Sequence, residues 1–205
     1  MRVFVLFVMM VMSVSGYSQT VAEELTVEGK QYYEKNDYSE ALQKLSQALK
    51  VDDKYAVAYF VRGVIKRDLG DFQGALKDLN KCISLDGKMF EAYLERGNVN
   101  YDLQDFKGAI DNYTKCIELN PNNVDAFYRR GQSKLQIESY NDAILDCDKV
   151  IDINAQNKDA YFLRGIIKLE YGMLEEGCSD LSIAGEMGDL KAFDEIKKHC
   201  LNVKY

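Results

Sequence analysis

Gly29, Gly63, Gly97, Gly131 and Gly165 follow one another at intervals of 34 residues. Three further columns keep the same step: Ala41, Ala75, Ala109, Ala143 and Gly177; Tyr38, Phe72, Phe106, Tyr140 and Leu174; Val51, Leu85, Leu119, Ile153 and Met187. Self-similarity at a fixed period of this size means one supersecondary unit stacked on copies of itself, each burying a face that it cannot bury alone. The spacing divides residues 19–191 into five units, 22–55, 56–89, 90–123, 124–157 and 158–191, and predicts a capping helix over 192–205.

Each unit reads as two helices. In the second, Ala58, Tyr59, Val61, Ile65 and Leu69 fall at helical spacing, Gly70 and Asp71 interrupt the pattern, and Phe72 to Leu85 resume it. No unit shows sustained strand alternation, so the fold class is all-α. A glycine on the first helix (Gly63) and an alanine on the second (Ala75) let two backbones approach where the helices cross. Thr20, with Glu23 three residues on, has the form of a capping box and predicts a helix start there.

An aromatic, then a glycine, then a second-helix alanine followed four residues later by a large apolar residue, all within 34 residues, resembles the tetratricopeptide repeat. Tyr93, Gly97, Ala109, Tyr113 and Pro121 carry the pattern in the third unit; Phe127, Gly131 and Ala143 carry it in the fourth. Only Pro121 keeps the closing proline, and Asp53, Gly87, Ala155 and Asp189 replace it elsewhere. Gly177 and Gly185 make the fifth unit atypical, as suits a terminal repeat. The resemblance implies a right-handed superhelical solenoid of antiparallel helix pairs. It also implies a concave groove lined by the first helices, which binds protein or peptide and performs no chemistry.

Residues 1–18 stand apart from the repeats. Arg2 is followed by the apolar run Val3 to Met12 and then by small and polar residues up to Ser18, the order of a secretory signal peptide. The run is about half of the roughly 20 residues a membrane span needs. Cleavage is expected after Ser18, with Ser15 as the alternative, and no cysteine precedes Cys82 to carry a lipoprotein anchor. The expected product is periplasmic or secreted, with no integral membrane segment. Its charge is acidic: 26 Lys and Arg stand against 33 Asp and Glu over the whole chain, scattered rather than clustered, which argues against nucleic acid as partner.

His199 is the single histidine, so neither a histidine metal cluster nor a charge-relay pair is available within the chain. No glycine-rich phosphate loop occurs, and neither an enzyme activity nor a cofactor is expected. Cys82 and Cys116 share the column of Ala48, and Cys147 that of Leu45, Leu79 and Tyr113, so these read as core residues. Cys178 and Cys200 each lie eleven residues from position 189, the turn before the tail helix, and an oxidising compartment would let them pair.

Counting outward from each hairpin turn pairs Arg62 with Asp78, Arg130 with Asp146 and Arg164 with Asp180, while Arg96 meets Asn112. In the first unit the pair is Glu28 with Lys44, reversed in sign but still attractive. That pattern predicts inter-helix salt bridges and assigns the arginine column to the scaffold.

Function then rests on the groove. One first-helix column reads Thr26, Phe60, Leu94, Tyr128 and Phe162; its neighbours add Val64, Asn98, Gln132 and Ile166, and then Arg67, Tyr101, Leu135 and Leu169. The candidate peptide-binding residues are Phe60, Val64, Leu94, Asn98, Tyr101, Tyr128, Gln132, Phe162 and Ile166, edged by Glu91, Asp125, Asp159 and Glu170. Two readings of this apolar ladder stay open, contact with a ligand or packing between adjacent first helices. Two functions follow: an adaptor holding an extended peptide or helix, or a structural component of a cell-envelope or secretion assembly that uses other surfaces.

Overall fold

A computed structural model describes residues 2–200, with side chains from Ser18 onward. Among these residues it contains eleven helices and no strand. They form two compact units, Met1–Val99 and Asn100–Tyr205. The first holds α1 (Arg2–Glu34), α2 (Tyr38–Val51), α3 (Ala56–Asp68), α4 (Phe72–Leu85) and most of α5 (Phe90–Asp102). The second holds α6 (Phe106–Leu119), α7 (Val124–Gln136), α8 (Tyr140–Ile153), α9 (Lys158–Glu170), α10 (Leu174–Glu186) and α11 (Leu190–His199).

The turns explain why the helices stop where they do. Asn36, Gly70, Gln104, Glu138 and Gly172 occupy one column of the repeat, and all five have positive φ, between 58° and 89°. A left-handed residue after a helix lets the next amide reach back to an orphan carbonyl. Asp71 N donates to Lys66 O at 2.8 Å, and Asp105 N to Asn100 O at 2.8 Å. The following helix is then capped by side chains: Asp37, Asp71 and Asp105 accept from the amides of Glu40, Gly74 and Gly108.

Pairs of helices pack at small residues. A methyl group placed on Gly63 would stand 2.9 Å from Leu79 Cγ, and one on Gly165 would stand 2.9 Å from Leu181 Cγ. At that distance the leucine would have to shift, so glycine is favoured at these two crossings. Ala41, Ala75, Ala109 and Ala143 on the facing helices are fully buried, as are Leu45, Leu79 and Leu181. Each buried leucine contributes about 1.5–3 kcal/mol relative to exposure.

The arginine column joins each helix pair to its own second helix and to the one before it. Arg130 binds Asp146 through both its Nε (2.9 Å) and Nη2 (2.6 Å), and its Nη1 donates to Thr114 at 3.0 Å, sixteen residues back. Arg62 makes the same bidentate contact with Asp78 and reaches Ser46 at 3.5 Å; Arg164 holds Asp180 and also pairs with Asp148. Arg96 donates to Asn80 at 2.7 Å. Each guanidinium also lies over an aromatic ring three residues earlier, Tyr59, Tyr93, Phe127 or Tyr161, at 5.3–5.5 Å. Lys44 and Glu28 form the sign-reversed pair at 2.6 Å.

Sequence reasoning missed a second cation on three of these carboxylates. Lys66, Lys134 and Lys168 approach Asp78, Asp146 and Asp180 at 2.7, 2.8 and 2.7 Å. The aspartates are buried, between 2% and 3% exposed, so losing a partner here costs more than at an exposed ion pair. Burial raises the Asp78 pKa, but the hydrogen bonds from Arg62 and Lys66 outweigh it and hold the carboxyl below its usual range.

Two expectations need correction. Thr20 does not begin a helix, because α1 runs through it from Arg2 and the preceding backbone is helical as well. The capping helix begins at Leu190, not at 192, since Asp189 accepts from Lys191 N and sets its N-terminus. The expected leader, 1–18, consists almost wholly of residues whose side chains lie outside those described, and residues 201–205 of the tail lie outside them altogether.

Candidate functional site

In the first unit, α1 and α3 leave between them a cleft of about 250 Å³. Phe60, Val61 and Val64 of α3 form one wall, and Lys30, Tyr33 and Glu34 of α1 the other. Phe60 is half-buried and packs into two core clusters, one around Leu45, Leu49 and Ile65 and one around Leu79 and Val99. The helical phase that buries Ala58 and Ile65 leaves Phe60 and Val64 at the edge of the core, with part of each side chain open.

Beside the cleft runs a polar chain across three first helices. Tyr33 Oη donates to Asp68, Asp68 pairs with Arg67 at 3.0 Å, and Arg67 pairs with Glu95 of α5. Burial pushes the Tyr33 phenol up to about 12, helped by its hydrogen bond to Asp68. Leu94 and Asn98 sit half-buried on α5.

Thr26, the polar member of the Phe60 column, faces inward. It is 2% exposed and its Oγ1 donates to Ala22 O at 2.7 Å. The α1 residues that line the cleft are Lys30, Tyr33 and Glu34, which occupy the columns of Val64, Arg67 and Asp68 one unit earlier. The repeat register therefore held the signal, but the candidate residues began at Phe60 and took in none from α1.

In the second unit Tyr128, Gln132, Phe162 and Ile166 are all half-buried on α7 and α9. Tyr128 packs against the clusters around Cys147 and Ile167 and around Phe127 and Val150. Burial raises its phenol to about 12, and the nearby Asp159 carboxylate adds to the shift. Phe162 and Ile166 pack against Cys178, Leu181, Ala184, Ala192 and Cys200. Tyr101 meets Phe106 edge-on at 5.4 Å, so it is shared with the turn. Asp125, Asp159 and Glu170 are exposed. Phe60, Tyr128 and Phe162 thus contribute to packing, and part of each side chain stays exposed.

Cys178 and Cys200 form a disulfide with Cα atoms 5.7 Å apart, fixing α11 to α10. Cys82, Cys116 and Cys147 are buried and take no part in a disulfide. Burial lifts the Cys82 and Cys147 thiols to about 12. Among the described residues, no group of histidine, cysteine, aspartate and glutamate is arranged to hold a metal ion. No described helix is long and apolar enough to cross a membrane.

Two repeat-family models match: one described as TPR repeat over residues 29–66 and 97–138, the other as tetratricopeptide repeat over 56–89. A search of curated proteins finds no match. Among solved structures, a crystal structure of MamA is 27% identical, covers 80% of this chain and 96% of its own, and superposes with a TM-score of 0.75. MamA from Desulfovibrio magneticus RS-1 is 17% identical over 82% of this chain and 94% of its own, with a TM-score of 0.77. YrrB, described as a TPR protein with an unusual peptide-binding site, is 19% identical over 85% of this chain and 90% of its own, with a TM-score of 0.76. The last two similarities concern the fold alone.

Proposed function

Since the chain belongs to the tetratricopeptide repeat family, whose members are generally protein-interaction modules without enzymatic activity, we propose that it is an adaptor for an extended peptide or a helix. The ligand lies along the first helices of each unit. The observation that carries this reading is the incomplete burial of Phe60, Val64, Tyr128, Phe162 and Ile166, at positions where a complete core would enclose them. In the first unit two of these open onto a cleft of about 250 Å³, which suits one large apolar side chain.

Exposed Asp125, Asp159 and Glu170 edge the corresponding face of the second unit. A matching ligand carries apolar anchors with basic neighbours. The acidic edge acts mainly on association rate, and the aromatic anchors supply most of the affinity. Export from the cytoplasm is part of the same proposal, supported by the apolar run before Ser18 and by the disulfide.

Selection from a displayed peptide library tests the reading. Enriched sequences should combine Leu or Phe with Lys or Arg, and Tyr128→Ala and Phe162→Ala should each weaken binding by about 2 kcal/mol. Equal binding by a double variant of unchanged helicity and melting would move the site away from the first helices and favour the envelope-assembly reading.

A further inference from the structure

The first and last helices carry opposite charge around exposed apolar side chains, and we infer that α11 of one copy docks on α1 of another in a head-to-tail contact. On α1, Thr20, Glu23, Glu24, Val27 and Glu28 line an open depression of about 430 Å³. Val27 is 48% exposed. Glu24 stands in the column of Ala58, Ala92, Ala126 and Ala160, all fully buried, and Glu28 in the column of the stapling arginines. At the start of the array the small and cationic residues of this face have thus become acidic. Burying such a face requires a partner that brings cations.

Helix α11 has that composition. Ala192 and Cys200 turn inward, while Leu190 and Phe193 remain 78% and 46% exposed. Lys197 continues their stripe at helical spacing, and Lys191 and Lys198 flank it, all exposed. Asp194 lies on the same side, and Glu195 engages Lys198 at 2.7 Å, so the helix stays net basic without being uniformly so. Glu28 is likewise engaged, by Lys44, which leaves Glu23 and Glu24 as the main anionic contribution.

The charges select a second copy in one orientation. Two α1 faces repel each other, as do two α11 faces, whereas α11 against α1 brings Leu190 and Phe193 onto Val27 with lysines beside glutamates. Such a contact joins unlike surfaces and therefore propagates from copy to copy into a ring or a filament. It uses none of the candidate peptide-binding residues, so it stands or falls independently of the adaptor reading.

Complementary charge reversal tests it. Sedimentation of the full chain should show mass rising with concentration at low salt and a return to monomer near 1 M salt, where screening acts over about 3 Å. Glu23→Lys with Glu24→Lys should weaken self-association about tenfold or more, and so should Lys191→Glu with Lys197→Glu. Mixed in equal amounts, the two variants should assemble again, because each now offers what the other lacks. Recovery on mixing also shows that both variants are folded. A wild-type chain that stays monomeric at high micromolar concentration, or variants that fail to recover on mixing, would overturn the inference.

Discussion

Asp146 gives the sharpest test of how these repeats are held together. Its buried carboxylate takes Arg130 at 2.6 and 2.9 Å and Lys134 at 2.8 Å. Asp146→Ala leaves two cations facing each other with no anion between them. Breaking a buried pair this way costs about 3–5 kcal/mol, and the low end applies because both cations keep 16% of their side-chain surface exposed. Arg130→Ala leaves Lys134 to neutralise the aspartate but loses the Thr114 bond and the stacking on Phe127, a cost of about 2 kcal/mol. Lys134→Ala leaves the bidentate contact intact and costs about 1 kcal/mol or less. Equilibrium urea denaturation followed by helical circular dichroism should rank the three in that order, with an Arg130–Asp146 coupling of at least about 1 kcal/mol. Simple reversal, Arg130→Asp with Asp146→Arg, should fail to restore stability because the new arginine would face Lys134; adding Lys134→Glu should restore it. Three equal single-variant costs with no coupling would refute the account.

The remaining predictions concern other parts of the scaffold. Gly165→Ala should destabilise by about 1–3 kcal/mol, since its methyl would stand 2.9 Å from Leu181 Cγ and 3.1 Å from Gly177 O. Gly131→Ala should be neutral or stabilising by up to about 1 kcal/mol, because Cys147 replaces the leucine there and the nearest atoms are 3.5 Å away; comparing the two melting curves decides it. Cys200→Ser should lower stability by about 3 kcal/mol on the chain-entropy estimate, and reduction of the wild type should reproduce the loss; an unchanged urea midpoint would contradict it. Because the folded Asp78 carboxyl is held below its usual range, its contribution is present above the unfolded aspartate value of about 3.9 and is lost as pH falls through the lowered folded value; Asp78→Asn should flatten that part of the acid stability profile. Cys82 and Cys147, with thiols near 12, should resist a thiol reagent at neutral pH until the chain is unfolded.

Much of the fold was legible because every unit presents nearly the same surroundings to its neighbours, so a core position announces itself by recurring. Gly63, Ala75 and Leu79 could be placed against one another from register alone. What recurrence cannot report is depth. Phe60 and Tyr128 recur with the same regularity as Leu79, yet they straddle the core boundary, and a periodic apolar column looks alike in both cases. Lys66, Lys134 and Lys168 were missed for a related reason: pairing residues equidistant from a turn finds one partner per carboxylate and stops. In the third unit Asn100 stands in the lysine column and Asn112 in the aspartate column, a joint loss of charge that pointed to the missing cation. The start of α1 was misread because a capping box describes a helix end only when the preceding chain is not itself helical.

The reach of Arg62, Arg130 and Arg164, sixteen residues forward and sixteen back, and of Arg96 sixteen back, also orders events during synthesis. Ser46, Asn80, Thr114 and Asp148 have all left the ribosome before the guanidinium that will bind them, whereas Asp78, Asp146 and Asp180 follow it. A nascent unit can therefore anchor to finished structure before its own second helix exists, and a stalled chain should halt with its last arginine held from behind and its forward partner still to come.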